Sequence, residues 1–392
     1  MTAHSDHSAS SMSRWSICPG CIGLSKQVPR SDTVYSKEGT VAHDLGERCF
    51  TGDLLTPSQA FGATVDGIKI TAEMIEAVEL YVEYVDSLDP TLIGHTLYEK
   101  TLPISKANLP KGVKLFGTMD TLYYRDTEDV LTVHVVDFKY GKGISVNAVD
   151  NLQLLYYGLA AVYFLMGQKK KLSLYLKKKS IDLTLTIVQP RAKHEDGPIR
   201  SWSINGDRLL EFESELEKAV QYTIDNPEQY VLGSHCRFCP GKEICPEYNK
   251  TMEDDLAEVD YLKVTANPKD LSPEDFAEAL ECCDLLEDAI KRHRKFAAKL
   301  LEAGESVPGW QMLPTRPSRR WSDESKVRQH LETLSLDPLK LSNLANLSPS
   351  AMENVLSPDD FEALESLIVS ESSSTRLTYT GPSNEDALKL LL

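Results

Sequence analysis

Two aspartates and a lysine carry the first chemical signal. Asp120 lies in the run KLFGTMDTLYYR, and Asp137 and Lys139 lie in VLTVHVVDFK; only the polar link DTED, from Asp126 to Asp129, separates these two stretches rich in β-branched and aromatic residues. Such a link is short enough for a hairpin turn. Partner positions in an antiparallel hairpin have a constant sum, so symmetric pairing about the link puts Asp120 opposite Asp137 or within about one residue of it. The strand period of two sets Asp137 and Lys139 on one face and turns Phe138 to the other. Two carboxylates and an ammonium then converge. Hard oxygen ligands of this kind select Mg²⁺ or Mn²⁺, and such an ion can orient a water and neutralise charge developing on a phosphate. A lysine beside them can position the nucleophilic water or stabilise the transition-state oxyanion. A hairpin with surface charges is the plain alternative, against which stands an acid inside the apolar run VHVVDF.

Two further pairs sit at i,i+4 spacing on helical patterns and so share a face: His43 with Glu47 in EGTVAHDLGE, and Gln153 with Tyr157 in NLQLLYYGLA. Alone, each reads as structural. A separate signal comes from sulfur. Cys236, Cys239 and Cys245 in HCRFCPGKEICPEY have metal-ligand spacing but supply three thiolates where a closed centre needs four, and Cys18 or Cys21, far upstream in SICPGC, is the candidate fourth. Four thiolates suit zinc and iron alike. Cys49, Cys282 and Cys283 fall on helical patterns and read as packing residues.

The elements that must position these residues follow from periodicity. Helical spacing covers Val41 to Phe50 and Thr71 to Ser87. Strands are expected over Thr96 to Ile104, Lys114 to Arg125 and Val130 to Lys139, then a long helix from Ala148 to Met166 and a strand over Ile181 to Pro190. A short strand, IRSWSI, and a helix from Gly206 to Thr223 lead to the cysteines. This order predicts an α/β (α+β) mixed sheet flanked by helices. After Lys250 the character changes: an acidic stretch, one long helix capped by Ser272 and ended by Gly304, and a tail from Ser322 with serine-rich links. The expected division is a domain over 13–250 and a mainly helical region over 270–392.

Composition narrows the function classes. The chain has 392 residues, a length that suggests about two to three domains. Its first residues, MTAHSDHSASSMSRWS, have no apolar core of a signal peptide, so a cytosolic protein is expected. The longest apolar stretch, Leu154 to Gly167, falls short of the ~20 residues that cross a bilayer. Eight cysteines are too few for a disulfide scaffold, which favours a reducing compartment and a metal site. With 42 basic and 59 acidic residues the net charge is −17, which excludes nucleic-acid binding by bulk electrostatics and leaves local patches. Three exist: Lys169 to Lys171 with Lys177 to Lys179; Lys291, Arg292, Arg294 and Lys295; and Arg316, Arg319 and Arg320 flanked by Trp310 and Trp321, for which packing is favoured slightly over a grip on DNA.

Taken in order, GTxxHxxxE, GTMD, DFK and QxxxY, with an early cysteine and a late CxxC-x5-C, the chain resembles the RecB-type branch of the PD-(D/E)XK nucleases. More narrowly it is similar to iron–sulfur members: AddB-type helicase-nuclease domains, CRISPR-associated RecB-like exonucleases and stand-alone phage nucleases. The resemblance covers Ser13 to Lys250. It implies a restriction-endonuclease-like core with an iron–sulfur staple. It also implies that His43, Asp120, Asp137 and the Phe138 carbonyl bind the catalytic Mg²⁺ or Mn²⁺, that Lys139 is the catalytic lysine, and that Gln153 and Tyr157 line the site and contact DNA. For the cysteines it implies a 4Fe–4S cluster on Cys18, Cys236, Cys239 and Cys245, with Cys18 matching the early ligand better than Cys21. Many relatives carry Glu where Asp137 stands.

The expected function is a metal-dependent deoxyribonuclease, an exonuclease serving recombination, repair or DNA-end processing in a bacterial or phage-infected cytosol. Its expected partners are single-stranded DNA or duplex ends and a recombination or single-strand-annealing protein, with no membrane. No GxxxxGK[ST] run occurs, so unwinding would fall to a partner. The alternatives are a non-catalytic iron–sulfur nucleic-acid-binding module or subunit and, third, a zinc-stapled interaction protein.

Overall fold

The computed structural model describes residues 6–29, 33–88, 95–104, 109–167, 171–334, 347–372 and 374–381. The chain divides into two units, one over Met1–Val28 and Asp32–Glu258, the other over Val259–Leu392 with Pro29–Ser31.

In the first unit, α1 (Met12–Trp15), α2 (Cys21–Gln27) and α3 (Val34–Phe50) precede a small ribbon, β1 (Thr64–Val65) with β2 (Ile68–Lys69), and α4 (Ala72–Ser87). Then come β3 (His95–Ile104), β4 (Leu115–Asp126), β5 (Val130–Phe138), α5 (Leu152–Met166), α6 (Leu172–Tyr175), β6 (Ser180–Val188), β7 (Ile199–Asn205), α7 (Gly206–Asp225) and α8 (Pro246–Ala257). The five long strands form one sheet in the order β3-β4-β5-β6-β7. Only β5 and β6 are parallel, because α5 carries the chain back between them, whereas the other neighbours pair antiparallel. The fold is a mixed α/β sheet with helices on both faces.

Strand alternation divides the core in two. Leu131, Val133 and Val135 of β5 point into a cluster shared with α1, α5 and α7, while Val136 and Phe138 point into a second cluster built on α3 and α4. α5 is apolar nearly all round, with eleven of its residues buried, and so sits inside rather than on the surface. Asn151 caps it by accepting the Leu154 N–H at 3.1 Å. α3 and α4 are amphipathic and begin at Thr33 and Thr71, whose hydroxyls accept the Ser36 and Met74 N–H groups. Their buried faces meet at Val41, Leu45, Met74, Val78 and Tyr81. Tyr81 stacks on Phe138 at 4.6 Å and reaches Thr121 of β4 through its hydroxyl at 2.7 Å. That contact fixes α4, and through it α3, against the middle of the sheet.

The pleat is broken at one place. Leu97 of β3 and Leu122 of β4 face the α5 side, as do Leu102, Ile104, Leu115 and Met119, although these two sets have opposite parity. Between them Tyr98 pairs with Thr121 and Lys100 with Met119, leaving Glu99 beside Asp120. Glu99 has φ +43°, left-handed backbone that a residue with a Cβ adopts at a cost of about 1–2 kcal/mol.

The start and end of this unit meet without the expected iron–sulfur staple. The Gly20 N–H donates to Gln229 O at 2.9 Å and Arg14 Nη1 donates to Phe238 O at 2.6 Å, joining the α1–α2 turn to the segment after α7. Hydrogen bonds and packing make the closure, and the cysteines there are free thiols.

The second unit contains α9 (Tyr261–Thr265), α10 (Pro273–Glu302), β8 (Trp310–Pro314), β9 (Ser318–Trp321), α11 (Glu324–Thr333), two short helices over Pro349–Glu353 and Pro358–Glu365, β10 (Ile368–Glu371) and β11 (Thr375–Tyr379). β8 pairs with β11 and β9 with β10, both antiparallel. These strands went unread in the sequence because each is short and finds its partner far along the chain, where no turn signal betrays the pairing. A small core gathers Trp321, Val327, Leu331, Met352, Phe361 and Leu364. Trp321 donates to Leu347 O at 2.9 Å, and Arg319 pairs with Glu353 and lies over the Phe361 ring. Those two members of the arginine and tryptophan cluster therefore pack.

Candidate functional site

The site forms where α3, the broken pleat of β3 and β4, the end of β5 and the start of α5 come together. The β4–β5 register ends at Thr121 opposite Val136, so the next step sets Asp120 across from Asp137. Asp120 Oδ2 accepts the Phe138 N–H at 2.6 Å, which turns its other oxygen toward α3. His43 Nδ1 lies 3.4 Å from that Oδ1 and 3.5 Å from Glu99 Oε1. His43, Glu99 and Asp120 offer ligand atoms all within 4.8 Å of one another, the sole such trio of His, Cys, Asp or Glu among the described residues.

Beside it stands a second group. Lys139 Nζ donates to Asp137 Oδ1 at 3.2 Å and to Gln153 Oε1 at 3.1 Å, and Gln153 Nε2 donates to Asp137 Oδ1 and to the Tyr157 hydroxyl, both at 3.0 Å. The amide orientation is dictated by charge, with oxygen toward the ammonium and nitrogen toward the carboxylate. Gly117 makes room for this arrangement: a Cβ there would stand 2.7 Å from the Tyr157 ring. Asp137 Oδ2 lies 2.9 Å from Lys139 Nζ as an ion pair but is buried without an aligned hydrogen bond, so a lone pair remains for a cation. One imidazole and several carboxylates form a donor set that suits Mn²⁺ or Mg²⁺.

Burial and charge oppose each other here. Burial by itself would lower the His43 imidazolium pKa, but the Asp120 and Glu99 carboxylates outweigh it and hold it up at about 10. Asp120 in turn stays below its ordinary value, burial being overcome by His43 first and then by Lys139. Burial lifts Asp137 to about 6, with Lys139 opposing and Asp120 reinforcing. Lys139, which burial would push down, is raised by Asp137 and Asp120. His43 and Lys139 still expose 30% and 28% of their side-chain surface, so water and a dissolved ion can reach them.

Of the residues singled out in the sequence, Asp120, Asp137, Lys139, Gln153, Tyr157 and His43 meet in one place. Phe138 contributes its N–H to Asp120. Glu47 stands outside the ligand trio, its carboxyl raised by burial and neighbouring acids. Glu99 was missed, since nothing in TLYEKTLPI marks one charged residue over another. Of the basic patches, Lys169 and Lys170 lie outside the described residues, Lys179 pairs with Asp126, and Lys291 with Glu287.

The expected 4Fe–4S cluster on Cys18, Cys236, Cys239 and Cys245 is corrected. These residues line one cavity together with Cys21 and His235, but its volume is about 10 Å³, roughly room for a single water. Their sulfur atoms form no ligand group among the described residues. Cys18 Sγ instead accepts the Val231 N–H at 3.5 Å, and Cys236 Sγ donates to Val231 O. Burial raises Cys239 and Cys245, whereas hydrogen bonding, from Cys21 foremost and also from the Val231 backbone, lowers Cys18 to about 5. The expected place in the iron–sulfur RecB-type branch of the PD-(D/E)XK nucleases falls with the cluster; what remains is a His/Glu/Asp site for a mononuclear metal.

Two solved structures are weakly similar to part of the chain. One, described as "Putative exonuclease" from Eubacterium rectale, is 14% identical with a TM-score of 0.33, over 61% of this chain and 86% of its own. The other, SSO0001, is 14% identical with a TM-score of 0.25, over 58% of this chain and 94% of its own. No described helix is long and apolar enough to cross a membrane. The family model for DUF2800, proteins of unknown function, matches residues 4–383. That span takes in both units almost entirely, and the chain belongs to the DUF2800 family.

Proposed function

We propose that this protein is a metal-dependent nuclease that hydrolyses DNA phosphodiesters. The observation that carries the reading is the meeting of a ligand trio, His43, Glu99 and Asp120, with an unsatisfied Asp137 oxygen and a lysine held beside it. His43, Glu99, Asp120 and Asp137 would hold a divalent ion, which when bound orients a water and neutralises charge on a phosphoryl oxygen. The chain's own groups do the rest. Lys139 spends two of its three N–H donors on Asp137 and Gln153, leaving one to stabilise the negative charge that develops on the phosphate during attack. Gln153 holds Lys139 and Asp137 at a fixed separation, and Tyr157, kept neutral by burial, braces Gln153 in turn. Such preorganisation removes the cost of orienting the ammonium at the moment of reaction.

End-labelled single- and double-stranded DNA and a covalently closed circle, each with Mg²⁺ or Mn²⁺, test the proposal. Metal-dependent cleavage that disappears in Lys139→Ala is expected. Full activity in that variant, or activity undiminished in excess EDTA, overturns it. Release of mononucleotides from linear DNA with the circle intact assigns exonucleolytic action at ends, whereas nicking of the circle assigns an endonuclease.

A further inference from the structure

Immediately after Lys139 and Tyr140 the chain runs as an exposed loop, GKGIS, from Gly141 to Ser145. Its inner side is fastened with unusual completeness. Gln189, 2% exposed, donates to Gly141 O at 3.0 Å and to Ile144 O at 2.8 Å, while its Oε1 accepts the Val146 N–H and the Arg200 guanidinium, both at 2.9 Å. Buried Arg200 also donates to Val146 O at 2.9 Å and to Gly197 O at 2.7 Å. All four hydrogen-bonding capacities of the Gln189 amide are thereby used, and they hold the loop's carbonyls inward.

The outer side is the reverse. Among the described residues no acceptor meets the backbone N–H of Gly141, Lys142, Gly143, Ile144 or Ser145. Neither glycine has positive φ, and a Cβ at either would meet nothing within 4 Å. The fold therefore requires glycine at neither position, although glycine costs backbone entropy wherever it is ordered. Glycine at these positions leaves the backbone amides open to close approach from outside. A run of unpaired N–H groups on a tethered, exposed loop can donate to an anion that approaches from outside. Lys142 lies within the loop, more than half exposed; among the described residues its only ion pair is a 3.6 Å contact with Glu73, whose carboxylate is already engaged bidentately by Arg191.

We infer that the loop Gly141–Ser145 is a phosphate cradle that receives the backbone of the substrate strand next to the scissile phosphodiester, with Gln189 as the residue that keeps it in shape. The inference rests on the nuclease reading and adds the means by which a chain of net charge −17 holds a polyanion: backbone amides supply the attraction that surface lysines lack.

The test uses the full-length chain in EDTA, so that binding is read without cleavage and a failure to hydrolyse DNA leaves the comparison intact. Anisotropy of a 5′-fluorescein single-stranded 20-mer is measured for wild type, Gly143→Ala and Lys142→Gln, with thermal midpoints alongside. Gly143→Ala should bind about tenfold more weakly at an unchanged or higher midpoint, because its methyl group meets only the ligand. Lys142→Gln should reduce the slope of log affinity against log salt by about one. Equal affinity in wild type and Gly143→Ala, or no oligonucleotide binding by wild type, overturns the cradle. A midpoint of wild type raised by inorganic phosphate and lost in Gly143→Ala, with oligonucleotide affinity unaffected, would assign the loop to free phosphate and overturn the strand assignment.

Discussion

Replacing Lys139 by methionine keeps the length of the side chain and removes its charge, which isolates the ammonium from its packing. Burial already raises Asp137 from 3.8 to about 6 against the pull of Lys139. A carboxyl raised in the folded state binds more protons there than in the unfolded chain, so stability falls as pH rises from about 4 to 6 and the full cost stands above that. The shift corresponds to a cost on the order of 3 kcal/mol. Without the ammonium Asp137 rises further, and the falling limb extends beyond pH 6 by about 1.4 kcal/mol for each added unit. Urea unfolding of wild type and variant in EDTA between pH 5 and 8 measures the difference. The variant should be close to wild type at pH 5 and increasingly less stable toward pH 8. Cleavage should fall by roughly 10²–10³, the usual cost of losing one donor to a developing oxyanion. A stability difference constant across that pH range would refute the account of Asp137, and retained cleavage the account of Lys139.

Gly117→Ala places a methyl group against the Tyr157 ring; it should cost about 1–3 kcal/mol and lower cleavage by displacing Gln153, with partial recovery in the double variant Gly117→Ala/Tyr157→Leu by thermal melts. Glu99→Gly should leave stability within about 1 kcal/mol of wild type, relief of the left-handed backbone offsetting lost entropy, yet weaken Mn²⁺ binding at least tenfold by calorimetry; unchanged binding removes Glu99 from the ligands. Because ligation requires a neutral imidazole and His43 is held at about 10, Mn²⁺ affinity should climb about tenfold per pH unit from pH 7 toward 10, and a flat titration removes His43 from the site.

The sheet and its helices were legible because the first unit is built from local signals. β4 and β5 share a short turn, and the constant sum of a hairpin carried Asp120 to Asp137 with no structure in hand. Period-two alternation separated Phe138 from Asp137, and i,i+4 spacing joined Gln153 to Tyr157. Glu99 escaped because its position depends on the β3–β4 register, which a long connection leaves undetermined, and on a broken pleat that no residue type announces. The cysteines misled for the opposite reason. Their spacing is local and suggestive, but whether sulfurs converge on a metal is settled by burial and by what else they bond, and here the Val231 backbone takes both Cys18 and Cys236. In the second unit, strands without a nearby partner carried no signal above that of the helices between them.

The joining of Arg14 to Phe238, 224 residues apart, has a consequence for biosynthesis. A ribosome adding about 5–20 residues each second leaves the α1–α2 segment waiting roughly 10–45 seconds for its hydrogen-bond partners after α7 to emerge. Trp15 and Met12 pack into the cluster that α5 and β5 share, so their apolar partners are synthesised well before Phe238 and only the closing hydrogen bonds wait for the segment after α7. The hairpin that bears Asp120 and Asp137 is complete much earlier. An arrest sequence placed one tunnel length beyond Lys139 should therefore report force from the hairpin, and a second pull from the closing of the α1–α2 turn should appear only when the segment after α7 has left the exit tunnel.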